Sequence, residues 1–207
     1  MLAPRFELEL NSQDHKKIVG IDEVGRGSIA GPLLMAAVSI NFSTHIKISG
    51  VKDSKLLSRK KRELIHSKLL VESFSNSLKI TTAKRSAQFI SKYGLAASLQ
   101  SVFNELISHY DLAKTIFLLD AGIKVRNSKL IYQQFIHGDN KIYSIALAAI
   151  YAKVERDNYM RKLALTNPGY SFETNVGYGT KTHLKALKNQ GITIYHRTCF
   201  KPVSVLL

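Results

Sequence analysis

Two short aliphatic runs near the start of the chain, IVGID at 18–22 and LLMAAVSI at 33–40, have the length and residue types of strands. Both are too short for a typical helix, and a glycine-rich turn separates them. Between them lies EVGRGSIAGP, a glycine-rich turn that opens on a charge. A third strand is read at 77–83. A fourth, KTIFLLD at 114–120, has the unbroken apolar run of a strand covered on both faces and ends in Asp120. Helical character begins near Ser58, which caps RKKRELIHSKLL, and returns in SAQFISKYGLAASLQSVFNELISHY. It returns again over roughly twenty residues from about Ser144. The segment from Ala121 to Gly138 reads as irregular. Strands and helices in this order predict an α/β domain with helices packed on a sheet.

Composition narrows the class. A chain of 207 residues with 45% hydrophobic content supports one sizeable core without an internal linker or repeat. The single cysteine, Cys199, forms no internal disulfide, and no Cys/His spacing matches a zinc site, which fits a reducing compartment. The opening MLAPRFELEL has no basic flank leading into an apolar stretch, and no window approaches the ~20 apolar residues of a membrane span. A cytoplasmic protein with no membrane partner is expected. Thirty Lys+Arg against fifteen Asp+Glu give a net charge of +15, which points to a polyanion such as nucleic acid. From residue 158 onward Arg161, Lys162, Lys181, Lys185, Lys188, Arg197 and Lys201 face one acid, Glu173. Residues 158–207 are therefore read as a small, mostly helical extension contacting substrate, and 1–157 as the main domain.

In this basic chain, acids at strand ends need partners. Asp22 ends the first strand and Asp120 the fourth, and either one alone is equally well explained by a helix N-terminus or an arginine beside it. Glu23 follows Asp22, and Asp139 lies in HGDN just before a helix. Four acids gathered in one place would repel one another unless hard divalent cations sat between them, and oxygen-only ligands suit Mg2+ or Mn2+. Such clusters hydrolyse phosphodiesters.

GIDEVGRGSIAGP, DSKLLS at 53–58, FLLDAG at 117–122, GD at 138–139, AKVERD at 152–157, NPGYSF at 167–172, GYGTKTH at 177–183 and HRTCFKPV at 196–203 together resemble bacterial ribonuclease HII, the type 2 ribonuclease H. The resemblance implies a ribonuclease H-like mixed sheet flanked by helices, its first and fourth strands parallel neighbours with Asp22 facing Asp120. It implies an endonuclease that hydrolyses the phosphodiester 5′ of a ribonucleotide in RNA/DNA hybrids and in duplex DNA with embedded ribonucleotides; a monomer is the separate expectation. Two Mg2+ or Mn2+ ions would be held by the catalytic carboxylates Asp22, Glu23, Asp120 and Asp139. Substrate contacts are implied for Gly25, Arg26 and Gly27 at the ribonucleotide 2′-OH, Tyr178 on the following deoxyribose, Lys55, and Lys181 in the same motif.

Each of these residues has a plainer reading. Gly25-Arg26-Gly27 could be a turn, Asp53 a helix cap, Tyr178 a packing residue, and Arg59-Lys60-Lys61-Arg62 a solvated helix face. His183, His196 and Arg197 could be generic surface charges, or serve nucleic-acid contact or local structure. The chain departs from the family at Ala146 and Ala149, where serines are usual. A relative, ribonuclease HIII, has Gly-Thr-Gly in the first loop and an added N-terminal domain, for which the 21 residues before Asp22 leave no room. A resolvase of the same fold, or a basic nucleic-acid-binding protein without catalysis, are the alternatives.

Overall fold

The computed structural model describes residues 2–14, 17–43 and 48–206. A five-stranded sheet runs in the order β3-β2-β1-β4-β5, formed by β1 (Lys17–Val24), β2 (Leu33–Ile40), β3 (Leu78–Arg85), β4 (Thr115–Asp120) and β5 (Ile131–Phe135). β1 pairs with β4 in parallel, and β4 with β5 in parallel. The sheet is mixed and flanked by helices, as expected. The helices are α1 (Arg5–Asp14), α2 (Arg59–Phe74), α3 (Ala87–Ile107), α4 (Tyr143–Thr166), α5 (Phe172–Asn175), α6 (Lys181–Gln190) and α7 (Lys201–Ser204). No helix among the described residues is long and apolar enough to cross a membrane.

Most predicted elements stand where the local signals put them. Ser58 caps α2, its Oγ accepting from the Lys61 amide at 3.4 Å. Two readings are corrected, and one element, α1, had not been read at all. The segment read as irregular contains β5, an exposed edge strand. The long helix through Gly94 is broken there, at φ 78°, so α3 is two segments. The first residues form α1, whose Phe6 and Leu10 pack beside Ile18, Ile116, Leu118, Ile142 and Ile145. The Glu7 carboxylate, fully buried, accepts from the Ser144 amide at 2.7 Å in the first turn of α4. That turn has four amides without helical acceptors, and an acid there also meets the positive end of the helix dipole.

The chain divides into two compact units. The first comprises residues 1–23, 35–83 and 103–154; the second comprises 24–34, 84–102 and 155–207. In the first unit α4 begins with an unbroken buried run from Tyr143 to Ile150. Ala146 and Ala149 lie in this run, and the start of the helix comes close to β1. The approach is closest at Gly20, where a Cβ would fall inside the Ser144–Ile145 peptide. Because backbone is the obstacle, no side-chain rotation relieves it. Gly20→Ala is expected to destabilise by roughly 3 kcal/mol, lowering Tm by about 10 °C; a thermal melt within a degree or two of wild type would show that α4 can retreat freely. In the second unit the core is Ile29, Ala30, Met160, Leu163, Tyr170, Phe172, Ala186, Leu187 and Val203.

Candidate active site

The first unit gathers the acids. Parallel pairing matches Lys17 with Thr115 and runs in step to Ile21 with Leu119, and the same offset continued by one residue sets Asp22 opposite Asp120. Because the strands point the same way, both carboxylates emerge at the same end of the sheet. Asp120 Oδ1 accepts the Gly138 amide at 2.9 Å. This ties the end of β4 to a short 3-10 turn, Gly138–Asn140, which carries Asp139. His137 enters that turn in the left-handed region at φ 56°, a conformation disfavoured for a side chain with a Cβ.

A second loop is latched onto this turn. Asp53 Oδ1 accepts the Lys55 amide at 2.8 Å, capping another 3-10 turn, while Asp53 Oδ2 accepts from Asn140 Nδ2 at 3.3 Å. Lys55 Nζ then reaches Asp139 Oδ2 at 3.2 Å. Asp53 is thus both a cap and a strut. Arg62, in the basic run of α2, donates to the carbonyls of Ser54 and Leu57 at 2.9 and 2.6 Å, so it holds this loop from below.

The electrostatics show four acids in mutual reach. The Asp22 carboxyl is pushed well above the usual carboxylate range, first by withdrawal from water, then by the charges of Glu23, Asp120 and Asp139. The Glu23 amide, donating to Asp22 Oδ1 at 2.8 Å, opposes this only in part. Burial lowers the Lys55 ammonium, but attraction to Asp139, Asp53 and Asp22 outweighs it and the net shift is upward. Among the described residues these acids do not close into a ready-made three-ligand group. Their chemistry nevertheless fits a hard divalent cation: all donors are carboxylate oxygens, and their repulsion is the kind a bound cation relieves.

The second unit holds the loop that follows Asp22-Glu23 in the chain. Gly25 has φ 86°, and a Cβ there would strike the Arg156 side chain and the Pro32 carbonyl. Two fully buried arginines brace this loop from inside. Arg156 donates from Nε to Pro32 O at 2.9 Å, from Nη2 to Ser28 Oγ at 2.7 Å and Ala30 O at 3.0 Å, and from Nη1 to Val176 O at 2.8 Å. Arg197 donates to Gly31 O from Nε and Nη2 at 3.1 and 3.0 Å, and to Arg26 O at 3.2 Å. Burial lowers both guanidiniums, and the Arg156 charge adds to the effect on Arg197, which falls to about 9. Carbonyl dipoles do the work that carboxylates would do in an ordinary buried ion pair. Arg26 and Gly27 remain exposed at the tip.

Tyr178 belongs to the same unit. Its ring lies 5.6 Å from the Arg156 guanidinium, within cation–π range. The preceding Val176 is held at φ 43°, a strained position for a β-branched residue. Such strain persists only where neighbours over-determine the backbone, and it recurs at functional sites. Lys181 is exposed at the start of α6, which Thr180 caps by accepting the His183 amide at 3.3 Å.

Placement in the structure decides between the readings of three residues. His183, His196 and Arg197 are not surface charges: their residues are 0%, 1% and 0% exposed. Arg197 therefore leaves the set of basic residues open to a polyanion. Arg156 was missed altogether. Its one signal is spacing, since it falls on the stripe Ala149, Ala152, Arg156, Met160, Leu163 that α4 buries.

Comparison with known proteins agrees with this geometry. Residues 19–203 match the ribonuclease HII family. Ribonuclease HII of Pelagibacter ubique is 39% identical over 194 residues, spanning 93% of this chain and 100% of its own. That of Orientia tsutsugamushi strain Ikeda is 38% identical over 200 residues, spanning 97% and 93%. Among solved structures, ribonuclease H2 from Pyrococcus horikoshii aligns with a TM-score of 0.73 at 20% identity, covering 92% of this chain and 96% of that one. Bst-RNase HIII in complex with Mn2+ aligns with a TM-score of 0.66 at 16% identity, covering 91% and 68%. At these identities the solved structures speak for the fold.

Proposed function

The chain belongs to the ribonuclease HII family, and from that membership we propose that it cuts the phosphodiester 5′ of a ribonucleotide, in RNA/DNA hybrids and at ribonucleotides embedded in duplex DNA, leaving 3′-OH and 5′-phosphate ends. The observation that carries the proposal is the parallel β1–β4 register, which sets Asp22 against Asp120, with Asp139 tied to Asp120 through the Gly138 amide. Asp22, Glu23, Asp120 and Asp139 would hold divalent cations, two in the working state. Mg2+ and Mn2+ suit such oxygen donors, and the Mn2+ complex of Bst-RNase HIII supports the choice. Bound there, the cations would supply Lewis-acid charge neutralisation at the phosphate and a more acidic water.

The chain's own residues divide the remaining tasks. Lys55, drawn to Asp139, keeps a positive charge beside the acids that a phosphate oxygen can share. The Gly25–Gly27 loop would meet the ribonucleotide 2′-OH, the group that separates RNA from DNA locally. Tyr178 would stack on the next deoxyribose, and Lys181 would add charge for the backbone. All four proposed metal ligands come from one chain, which is compatible with a monomer working in the cytoplasm. The test is incubation of the protein with a DNA duplex carrying one ribonucleotide, with Mg2+ and with EDTA. Cleavage at the ribonucleotide only when Mg2+ is present is the expected result. Equal cutting of an all-DNA duplex would sink the proposed substrate class, and cutting in EDTA would sink the metal requirement.

A further inference from the structure

Two buried histidines in the second unit form a chain of hydrogen bonds whose direction can be worked out atom by atom. The Thr193 backbone N–H lies 2.9 Å from His196 Nδ1, and an amide can only donate, so Nδ1 is the acceptor. A neutral imidazole has one N–H, which His196 must therefore carry on Nε2. That nitrogen sits 3.1 Å from His183 Nε2, which must then be bare. The His183 proton is left on Nδ1, which is 2.9 Å from the Tyr178 carbonyl. Each assignment forces the next, and the last bond in the series lands on the residue proposed to stack on substrate.

The rest of the Tyr178 peptide is held to match. Its N–H donates to Asn175 O at 2.9 Å, and its carbonyl also accepts the Thr180 amide at 2.8 Å. Asn175 in turn fixes the Gly177 amide through Oδ1 at 2.8 Å. The histidines have no apolar reason to be here. They sit against Tyr170 and Phe172 in the apolar core of this unit, where an aliphatic or aromatic side chain would pack without a polar atom to satisfy. Burial lowers both rings, and His183 helps to push His196 down to about 4. The pair is therefore neutral at working pH, as the directed chain requires. A second proton on either ring would set two N–H groups face to face.

We propose that His183 and His196 are positioning residues that fix the Tyr178 main chain, and through it the placement of the tyrosine ring. This rests on Tyr178 being a substrate contact. The experiment measures kcat/KM on a duplex with one ribonucleotide, in Mg2+, for Tyr178→Ala, His183→Phe, His183→Asn and the Tyr178→Ala/His183→Phe double variant, each with a thermal melt. His183→Phe removes the donor and is expected to lose on the order of 10- to 100-fold. His183→Asn keeps an N–H that can reach the Tyr178 carbonyl, and it should recover most of the loss. The double variant should fall no further than Tyr178→Ala, because the histidine acts only through that residue. Wild-type kcat/KM in a folded His183→Phe protein, or losses that multiply in the double variant, would overturn the inference. If His183→Phe shows no cooperative melt, His196→Met is read in the same way, since it removes the Nε2–H that sets the His183 tautomer, together with the acceptor of the Thr193 amide. Tyr178→Ala at the wild-type rate overturns the substrate reading and this inference together. An impaired Tyr178→Ala beside a folded, unimpaired histidine variant overturns this inference alone.

Discussion

Asp120→Asn is expected to abolish cleavage, by about 1,000-fold or more, while leaving duplex binding equal or tighter. The substitution is nearly isosteric, and the amide oxygen can still accept the Gly138 N–H that Asp120 Oδ1 accepts at 2.9 Å. The turn carrying Asp139 should therefore keep its path. What is lost is a negative charge from a group of four, and with it much of the attraction for a divalent cation. Removing one well-placed electrostatic contribution at a reacting phosphate costs about 4 kcal/mol, or close to three powers of ten. Binding should not suffer, because the substrate is itself an anion and one source of repulsion has gone. Single-turnover cleavage and a filter-binding titration on the same duplex separate the two effects. Turnover near the wild-type rate would remove Asp120 from the catalytic set.

Tyr178→Ala carries the second large effect, expected at about 100-fold on a single embedded ribonucleotide, since about 1 Å of misplacement at the scissile bond costs that much. Charge cannot select one ribonucleotide among deoxynucleotides, because every phosphate presents the same charge. In the proposed reading the 2′-OH contact of the Gly25–Gly27 loop makes the choice, and a ring on the following deoxyribose would hold the junction in place for it. Tyr178→Phe should be much milder, on the order of 1 kcal/mol, because the stacking surface and its approach to Arg156 survive while only the hydroxyl goes. Equal activity of wild type and a folded Tyr178→Ala protein would reduce Tyr178 to packing.

The parts of this architecture legible in the sequence are those whose signals are local. The Ser58 cap, the aliphatic runs of β1, β2 and β4, and the acids ending β1 and β4 each announce themselves within a few residues. β5 does not, because an exposed edge strand has no inside face to impose alternation on Ile131–Phe135. The arginine brace was hidden for a different reason. Arg156 and Arg197 donate mainly to carbonyl oxygens, which every residue has, so these partners leave no mark in the sequence. The histidine pair was hidden by distance: His183 and His196 are 13 residues apart, and the bond that orients them comes from a backbone amide. Lys55 was legible as a motif, yet its partner Asp139 lies 84 positions away.

The register of β1 against β4 also bears on how the protein comes into being. Asp22 is made early, but the strand that brings its counterpart is offset by 98 positions, as in the pairing of Ile18 with Ile116. Closing a loop of that length costs about 4 kcal/mol of chain entropy before any pairing repays it, and contacts of such long range are slow to form. Asp139, the last of the four acids, is synthesised later still. The four acids therefore cannot come together until most of the polypeptide exists, by topology alone.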